Sequence, residues 1–350
     1  MSDSLADYGY DDRVETLFTL IDLPQFTPGR VVRVDKSSAV VMTEDGTIRA
    51  DPFRLSRQRL ESELAAGLAP TEATTGDWVA LVDSPGAGPA IAAVLQRRSL
   101  IARRAPEDRS RPVQAIAANV DHVAVVAPLD RPQSPSRIER TLAMVWESGA
   151  TPLIVLTKAD VGVDIDETVA STESAAMGVP VLVTSGVTGD GADALVEVVR
   201  PSGTLAFLGP SGAGKSTLVN ALTGLATQRT SDVRGLDNRG RHTTTSRELI
   251  PLPGGGVLLD TPGLRSLGVL DVSAGVREVF ADVEALAEQC RFADCGHGGE
   301  PGCAVRSAIG DGTLEARRLA SYQKLQRESL AALRRDPGPA GVAARRQFRN

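Results

Sequence analysis

Long apolar runs are missing from this 350-residue chain, so no segment has the length needed to span a membrane. The amino terminus also lacks the basic and apolar regions of a secretory signal peptide. We therefore predict a cytoplasmic protein with no membrane partner. Only 3% of the residues are aromatic and the formal net charge is −6, which argues against a uniformly basic nucleic-acid-binding protein that stacks bases on aromatic rings. Positive charge is concentrated in two arginine clusters, at 97–111 and 334–349. Each cluster is either an RNA contact or a solvated surface.

Cysteine is also scarce, and all three cysteines lie within fourteen residues, beside one of the three histidines. An odd count in a chain without a secretory signal disfavours disulfides. Four soft or borderline ligands separated by glycines can surround one tetrahedral Zn²⁺, and four protein ligands leave no open position, so the zinc would be structural. Free buried thiols are the alternative. The predicted ligands are Cys290, Cys295, His297 and Cys303.

Lysine occurs only four times, and one of the four completes a GxxxxGK[ST] motif. The apolar run 204–208 before the motif predicts a buried strand, and 216–222 predicts a helix, which is the context of a phosphate-binding loop. Its backbone N–H groups and the helix amino terminus would bind phosphate. Lys215 would neutralise the β- and γ-phosphates, and Ser216 would bind Mg²⁺. The predicted nucleotide contacts here are Gly209, Pro210, Ser211, Gly212, Ala213, Gly214, Lys215, Ser216 and Thr217.

Two further segments predict contacts with Mg²⁺ and the γ-phosphate. The apolar run 256–259 ends in Asp260, where P-loop enzymes place an acidic residue near Mg²⁺, and Gly263 is placed to sense the γ-phosphate. The polar segment 240–245 has the character of a mobile switch loop. We predict Thr244 as its Mg²⁺ ligand, although the spacing does not distinguish it from its two threonine neighbours.

Residues 157–160 have the form of a guanine-reading loop that follows the strand-like run 153–156. The Asp160 carboxylate can accept hydrogen bonds from N1–H and the 2-amino group of guanine, whereas adenine would leave it unpaired, so we predict GTP over ATP. The stem of Lys158 would lie along the base. Ser185, after the strand-like run 181–183, would complete the pocket. The predicted base contacts are Thr157, Lys158, Ala159, Asp160 and Ser185.

The base-reading loop precedes the phosphate loop instead of following it, so the nucleotide domain is predicted to be circularly permuted. The motif order TKAD, TSG, GPSGAGKST, GRHTTT, DTPG resembles the family of ribosome small subunit-dependent GTPase A (RsgA, also called YjeQ), as do 76–80, 119–121 and the cysteine spacing. The resemblance implies a GTPase activated by the small ribosomal subunit and its rRNA, acting late in its assembly, with a zinc site at the cysteines. One departure is Thr157, where many GTPases have Asn.

The predicted fold class is a multidomain α/β protein. Residues 1–27 are predicted to be a flexible tail. Residues 28–105 alternate short strands and turns, which fits a five-stranded barrel, and the resemblance implies an OB-fold. Alternating strands and helices over 106–272 predict the circularly permuted P-loop GTPase domain. Residues 273–350 are predicted to form a zinc-binding helical domain in which 313–335 is a charged helix.

The predicted reaction is hydrolysis of GTP to GDP, with Mg²⁺ and Lys215 stabilising charge on the γ-phosphate. Leu264 stands where Ras-like enzymes place a water-orienting Gln, so intrinsic hydrolysis should be slow. His242 is a candidate for positioning the water, and the alternative is that it packs or contacts RNA.

Two other functions fit part of the sequence. A P-loop ATPase or kinase acting on a small molecule predicts adenine preference and leaves Asp160 and the cysteine cluster without a role. A nucleotide-stabilised RNA-binding scaffold with little turnover is compatible with Leu264. Nothing in the sequence requires more than a monomer.

Overall fold

A computed structural model describes residues 4–20, 26–51, 72–84, 86, 88–104, 113–224, 247–260 and 272–335. Within these residues the chain forms a small antiparallel sheet, a larger and mostly parallel sheet flanked by helices, and a group of helices at the carboxyl end. Among the helices of the described residues, none combines the length and hydrophobicity needed to cross a bilayer.

The amino-terminal segment is folded over residues 4–20. Helix α1 (Asp12–Thr19) is capped by Asp11, whose side chain accepts a hydrogen bond from the backbone N–H of Val14. Leu5, Tyr8 and Val14 are buried in the protein core. The flexible tail predicted for residues 1–27 is therefore wrong over this stretch, because its scattered apolar side chains are buried against the rest of the chain.

The small sheet is curled and antiparallel. A tight turn before Gly46, which has a φ of +106°, joins its second and third strands. At the two edges, the backbone N–H of Asp51 donates to the Pro89 carbonyl at 3.0 Å and the N–H of Ile91 donates to the Asp51 carbonyl at 2.9 Å. This five-stranded, partly closed barrel confirms the predicted OB-like fold. Its strands, in the order β3-β2-β1-β4-β5, are β1 (Thr27–Val34), β2 (Ala39–Thr43), β3 (Gly46–Ala50), β4 (Trp78–Ser84) and β5 (Gly88–Val94).

A two-stranded antiparallel ribbon connects the small sheet to the large one. It consists of β6 (Leu100–Arg104) and β7 (Val113–Ala118). The predicted domain boundary between residues 105 and 106 falls outside the described residues, in the connection between these two strands.

The large sheet has six strands in the order β10-β9-β8-β11-β13-β12, and only the β12–β13 pair is antiparallel. Its central strands are buried runs of apolar residues, as expected for a sheet covered on both faces. The loops after parallel strands meet at one edge, so the segments after β8, β9 and β11 lie close together. The strands are β8 (His122–Pro128), β9 (Thr151–Thr157), β10 (Val181–Val183), β11 (Thr204–Leu208), β12 (Glu248–Pro251) and β13 (Val257–Asp260), and the helices are α2 (Pro135–Glu147), α3 (Ile165–Ala176), α4 (Ala192–Val199) and α5 (Lys215–Thr223).

One buried arginine joins the small sheet to the large one. Arg30 of β1 is 2% exposed and donates hydrogen bonds to the carbonyls of Tyr8 and Asn119 and to the Thr204 hydroxyl, the last at 2.7 Å. Burial lowers the pKa of Arg30 to about 10. Thr204 begins β11, so the strand that carries the phosphate loop is anchored at its start to the barrel.

Four helices of the described residues follow at the carboxyl end, and the first and last of them pack on α2. They are α6 (Ser273–Val279), α7 (Ala281–Ala287), α8 (Ala304–Gly310) and α9 (Ala316–Arg335), so the helix predicted from 313 begins three residues later. At Gly275 the backbones are so close that a Cβ would lie 1.9 Å from the Ala143 carbonyl oxygen. Glu139 of α2 is fully buried and accepts hydrogen bonds from Arg317 at 3.0 Å and Arg318 at 3.1 Å. These contacts hold α9 against α2, one of the helices that flank the large sheet.

Candidate nucleotide site and metal cluster

The phosphate-loop sequence connects β11 to α5, as predicted. Gly212 and Gly214 have φ values of +74° and +87°, which residues with a side chain adopt only with strain. Lys215 Nζ donates to the carbonyl oxygens of Gly209 and Pro210, both at 2.7 Å, so the ammonium group lies within the loop. A positive charge and a helix amino terminus at one place form a site suited to phosphate.

The phosphate loop is held on the neighbouring strands. A Cβ at Gly209 would lie 2.7 Å from the carbonyl oxygen of Val126 in β8, so the loop runs directly against that strand. Thr157, at the end of β9, is 2% exposed, and its hydroxyl donates to the Ala213 carbonyl at 2.6 Å. This hydrogen bond joins the base-reading loop to the phosphate loop. Thr157 therefore has a role between the two loops that the sequence did not indicate, and its contact with the base stays a prediction.

The two segments predicted to read the base lie side by side. The Ser185 hydroxyl donates to Oδ1 of Asp160 at 2.6 Å and accepts from the backbone N–H groups of Val187 and Thr188, each at 3.2 Å. The Ala159 N–H donates to the carbonyl of Thr184 at 3.1 Å. Because Ser185 is itself 1% exposed, it orients the carboxylate that we predict to distinguish guanine from adenine.

Lys158 has a φ of +64° and forms an ion pair with Asp130, with 2.6 Å between Nζ and Oδ2. The hydrogen bond from Lys158 holds the pKa of Asp130 below its usual value, so this carboxylate stays ionised at neutral pH. Asp130 lies in the loop after β8 and was not predicted from the sequence. Its only sequence signal is its position at the carboxyl end of a buried strand.

The predicted magnesium ligands fall partly within the described residues. Ser216 is the second residue of α5, and Asp260 is the last residue of β13. β11 and β13 are parallel neighbours with Ala206 opposite Leu259, so both strands end at the edge that carries the phosphate loop. Coordination of Mg²⁺ by these residues stays a prediction. His242, Thr244, Gly263 and Leu264 lie outside the described residues.

The predicted zinc ligands converge on one point. Their ligand atoms all lie within 4.8 Å of one another. Sγ of Cys303 is 3.5 Å from Nδ1 of His297 and 3.9 Å from Sγ of Cys290. Donors around a tetrahedral Zn²⁺, with bonds of about 2.0–2.3 Å, are separated by about 3.5–3.8 Å, so this arrangement fits one zinc ion. The cluster of Cys290, Cys295, His297 and Cys303, hereafter the Cys3His cluster, could therefore hold one metal ion.

Local backbone geometry builds the Cys3His cluster. His297 has a φ of +56°, which turns the chain sharply at this ligand. Cys303 is the N-cap residue of α8, and its sulfur accepts a hydrogen bond from the backbone N–H of Arg306 at 3.4 Å. The Arg306 guanidinium in turn donates to the His297 carbonyl at 3.1 Å. One residue therefore connects the third and fourth predicted ligands, through its backbone N–H at Cys303 and its side chain at His297.

Glu300 closes the glycine-rich part of the same loop. Its carboxylate accepts hydrogen bonds from the backbone N–H groups of Gly296, Gly298 and Gly299 at 2.8–3.0 Å. Backbone hydrogen bonds, first from its own N–H and then from Gly299, lower the pKa of Glu300 to about 2. The glycines act here as hydrogen-bond donors around a carboxylate, in addition to separating the ligands.

Comparison with known proteins places these features in one group of proteins. A model of the RsgA GTPase family matches residues 94–270. A Streptomyces coelicolor protein named small ribosomal subunit biogenesis GTPase RsgA is 45% identical, over 99% of this chain and 92% of its own. The structure of YjeQ from Thermotoga maritima is similar with a TM-score of 0.62 at 27% identity, over 87% of this chain and 99% of its own. YloQ, described as a circularly permuted GTPase, has a TM-score of 0.61 at 23% identity, over 90% of this chain and 98% of its own.

Proposed function

This chain belongs to the RsgA GTPase family, and from that premise we propose that it hydrolyses GTP to GDP and phosphate during late assembly of the small ribosomal subunit, whose binding activates hydrolysis. The observation that supports a guanine-nucleotide site best is the hydrogen bond between Thr157 and Ala213, which joins the two predicted halves of the site. The name of the 45% identical relative supports the biological role.

Each part of GTP has its predicted contact. Asp160, oriented by Ser185, accepts hydrogen bonds from guanine, while Lys215 and the backbone of the phosphate loop bind the β- and γ-phosphates. Ser216, Thr244 and Asp260 would hold Mg²⁺, and Gly263 would contact the γ-phosphate. These contacts are supported by motif spacing and, for the described residues, by their position at one edge of the sheet.

Hydrolysis is proposed to be slow in the isolated protein. Leu264 cannot orient a water molecule, so His242 is proposed to position it once the ribosomal subunit has arranged the switch loop. Lys215 is proposed to stabilise the charge that develops on the γ-phosphate, and a Mg²⁺ ion held by Ser216, Thr244 and Asp260 would supply further positive charge there.

The proposed domains are 28–105 for the OB-like barrel, 106–272 for the GTPase domain and 273–350 for the zinc-binding domain. The Cys3His cluster is proposed to hold one structural Zn²⁺, since it supplies four protein ligands. The protein is proposed to act as a cytoplasmic monomer that binds GTP or GDP, the small subunit and its rRNA.

The test is hydrolysis of GTP and ATP by the purified protein, alone and with isolated small ribosomal subunits. We expect GTP-selective turnover that rises sharply with the subunits, and none with Lys215→Ala, which loses the phosphate-binding ammonium. GTP binding without stimulated turnover would instead favour the nucleotide-stabilised RNA-binding scaffold. ATP preference would contradict the guanine site itself.

A further inference from the structure

The loop after β8, residues 129–134, lies beside the two predicted nucleotide-binding loops and is not one of the motifs that predicted the site. Gln133 donates through Nε2 to the carbonyls of Pro128 and Arg131, the latter at 2.8 Å, and so folds the loop back on the end of β8. Asp130 projects from this loop to the base-reading loop, where it contacts Lys158. The loop is therefore held by hydrogen bonds at two places, at the end of β8 and at the base-reading loop.

Arg131 extends from the same loop towards the phosphate loop. A Cβ at Gly212 would lie 4.0 Å from a terminal guanidinium nitrogen of Arg131. Gly212 lies in the middle of the phosphate loop, where backbone N–H groups surround the phosphates in proteins with this motif. Nε of Arg131 is 3.4 Å from Oδ1 of Asp130, so the carboxylate holds the near end of the guanidinium while its far end reaches the loop.

The charges around the loop favour a role for Arg131 in anion binding. Asp130 lies between two cations, with Oδ2 on Lys158 and Oδ1 on Arg131. The ion pair with Lys158 offsets one positive charge, so the three side chains together carry one net positive charge. Arg131 is the member of the three with a terminal nitrogen beside Gly212, and a guanidinium presents several donors to phosphate oxygens.

We propose that Arg131 is a further nucleotide-binding residue, which donates hydrogen bonds to the phosphate oxygens of the bound guanine nucleotide, and that Asp130 positions it. This inference rests on the proposed function, because it requires a nucleotide in the phosphate loop. The side chain of Arg131 is 48% exposed, so it can adjust to the ligand, and its replacement leaves no buried charge unpaired.

The test measures the affinity of the full-length protein for fluorescent GDP, at low and high salt. We expect Arg131→Ala to bind GDP about fivefold more weakly at low salt, as for loss of one charge-assisted hydrogen bond at an exposed site. Arg131→Lys should retain part of the affinity because it keeps the charge. Arg137→Ala is the matched control, since Arg137 is an exposed arginine of α2, the helix that follows this loop, and should bind GDP as the wild type does.

Salt separates a phosphate contact from a structural role. The difference between wild type and Arg131→Ala should shrink at high salt, because screening weakens the charge interaction that the variant lacks. An affinity of Arg131→Ala equal to that of the wild type, or a loss that salt does not change, would overturn the inference. A wild-type protein that binds no GDP would instead contradict the proposed function, so the two failures are distinguishable.

Discussion

The Cys3His cluster and the nucleotide site are built over very different distances along the chain. The four cluster residues lie within fourteen positions, from Cys290 to Cys303. The hydrogen bonds that assemble the nucleotide site join residues 25 positions apart at Ser185 and Asp160, and 56 positions apart at Thr157 and Ala213. A short loop closes at small entropic cost, whereas the distributed site depends on the parallel sheet to bring its segments together.

This difference implies different sources of rigidity. The nucleotide loops follow strands whose side chains are almost entirely buried, so the sheet supports them. The Cys3His cluster lies on turns between short helices, and two of its ligands, Cys290 and Cys295, are only partly buried. A site of this kind relies on the metal itself for its order. A substitution in the Cys3His cluster should therefore affect mainly the cluster, whereas a substitution in the nucleotide site should also disturb the sheet that supports it.

Loss of the metal should have the largest effect. We expect Cys303→Ser to destabilise residues 288–312 by more than about 4 kcal/mol, since structural zinc contributes about 10 kcal/mol or more in zinc-finger peptides. Hydrogen exchange of this segment and the zinc content measure the loss, and Ser307→Ala, at an exposed position of α8, is the control. GDP affinity should stay within about twofold of the wild type, because the nucleotide loops rest on the sheet. An equally large loss of GDP affinity would show that the two sites are not independent.

Gly209→Ala should have the next largest effect, on the nucleotide site and not on the Cys3His cluster. The new Cβ would lie 2.7 Å from the Val126 carbonyl oxygen, so the phosphate loop must move away from β8. Overpacking of this kind costs about 1–3 kcal/mol, which corresponds to a loss of about fivefold to about 150-fold in GDP affinity. Gly310→Ala is the control, because a Cβ at Gly310 would meet no atom within 4 Å. Unchanged GDP affinity would show that the loop position is not set by β8.

Thr157→Val should have the smallest effect of the three. It removes the hydroxyl that joins the two nucleotide loops and leaves the Ala213 carbonyl without that donor. Loss of one hydrogen bond of about 1 kcal/mol predicts about fivefold weaker GDP binding, measured by titration. Thr157→Ser keeps the hydroxyl and should bind nearly as the wild type does. If the Thr157→Val and Thr157→Ser variants bind GDP equally well, the hydrogen bond does not couple the two loops.

The elements that the sequence predicted are those with short-range signals. The strand runs, the strand–loop–helix around Lys215 and the turn before Gly46 follow from local composition, and the structure confirms them. The Cys3His cluster could be predicted equally well, because its four residues are close in sequence. Each of these features is determined by residues that are close together in the sequence.

The contacts that the sequence did not predict are polar and long-range. Examples are the ion pair of Asp130 with Lys158 and the buried hydrogen bonds of Arg30. A single aspartate after a strand, or one arginine within a strand, is not part of a local sequence pattern from which its partner could be predicted. Helix α1 was not predicted for a related reason. Its segment is polar with only a few apolar residues, and these are buried only through contacts with the rest of the folded protein.

Guanine selectivity through Asp160 is tested most directly by measuring GDP and xanthosine diphosphate affinities of Asp160→Asn beside the wild type. Xanthine has an oxygen where guanine has the 2-amino group, so an asparagine amide should pair with it, whereas a carboxylate should not. We expect the variant to lose at least about 100-fold in GDP affinity and to prefer xanthosine diphosphate. A variant that still binds GDP as tightly as the wild type would contradict the assignment of Asp160 as the residue that reads the base.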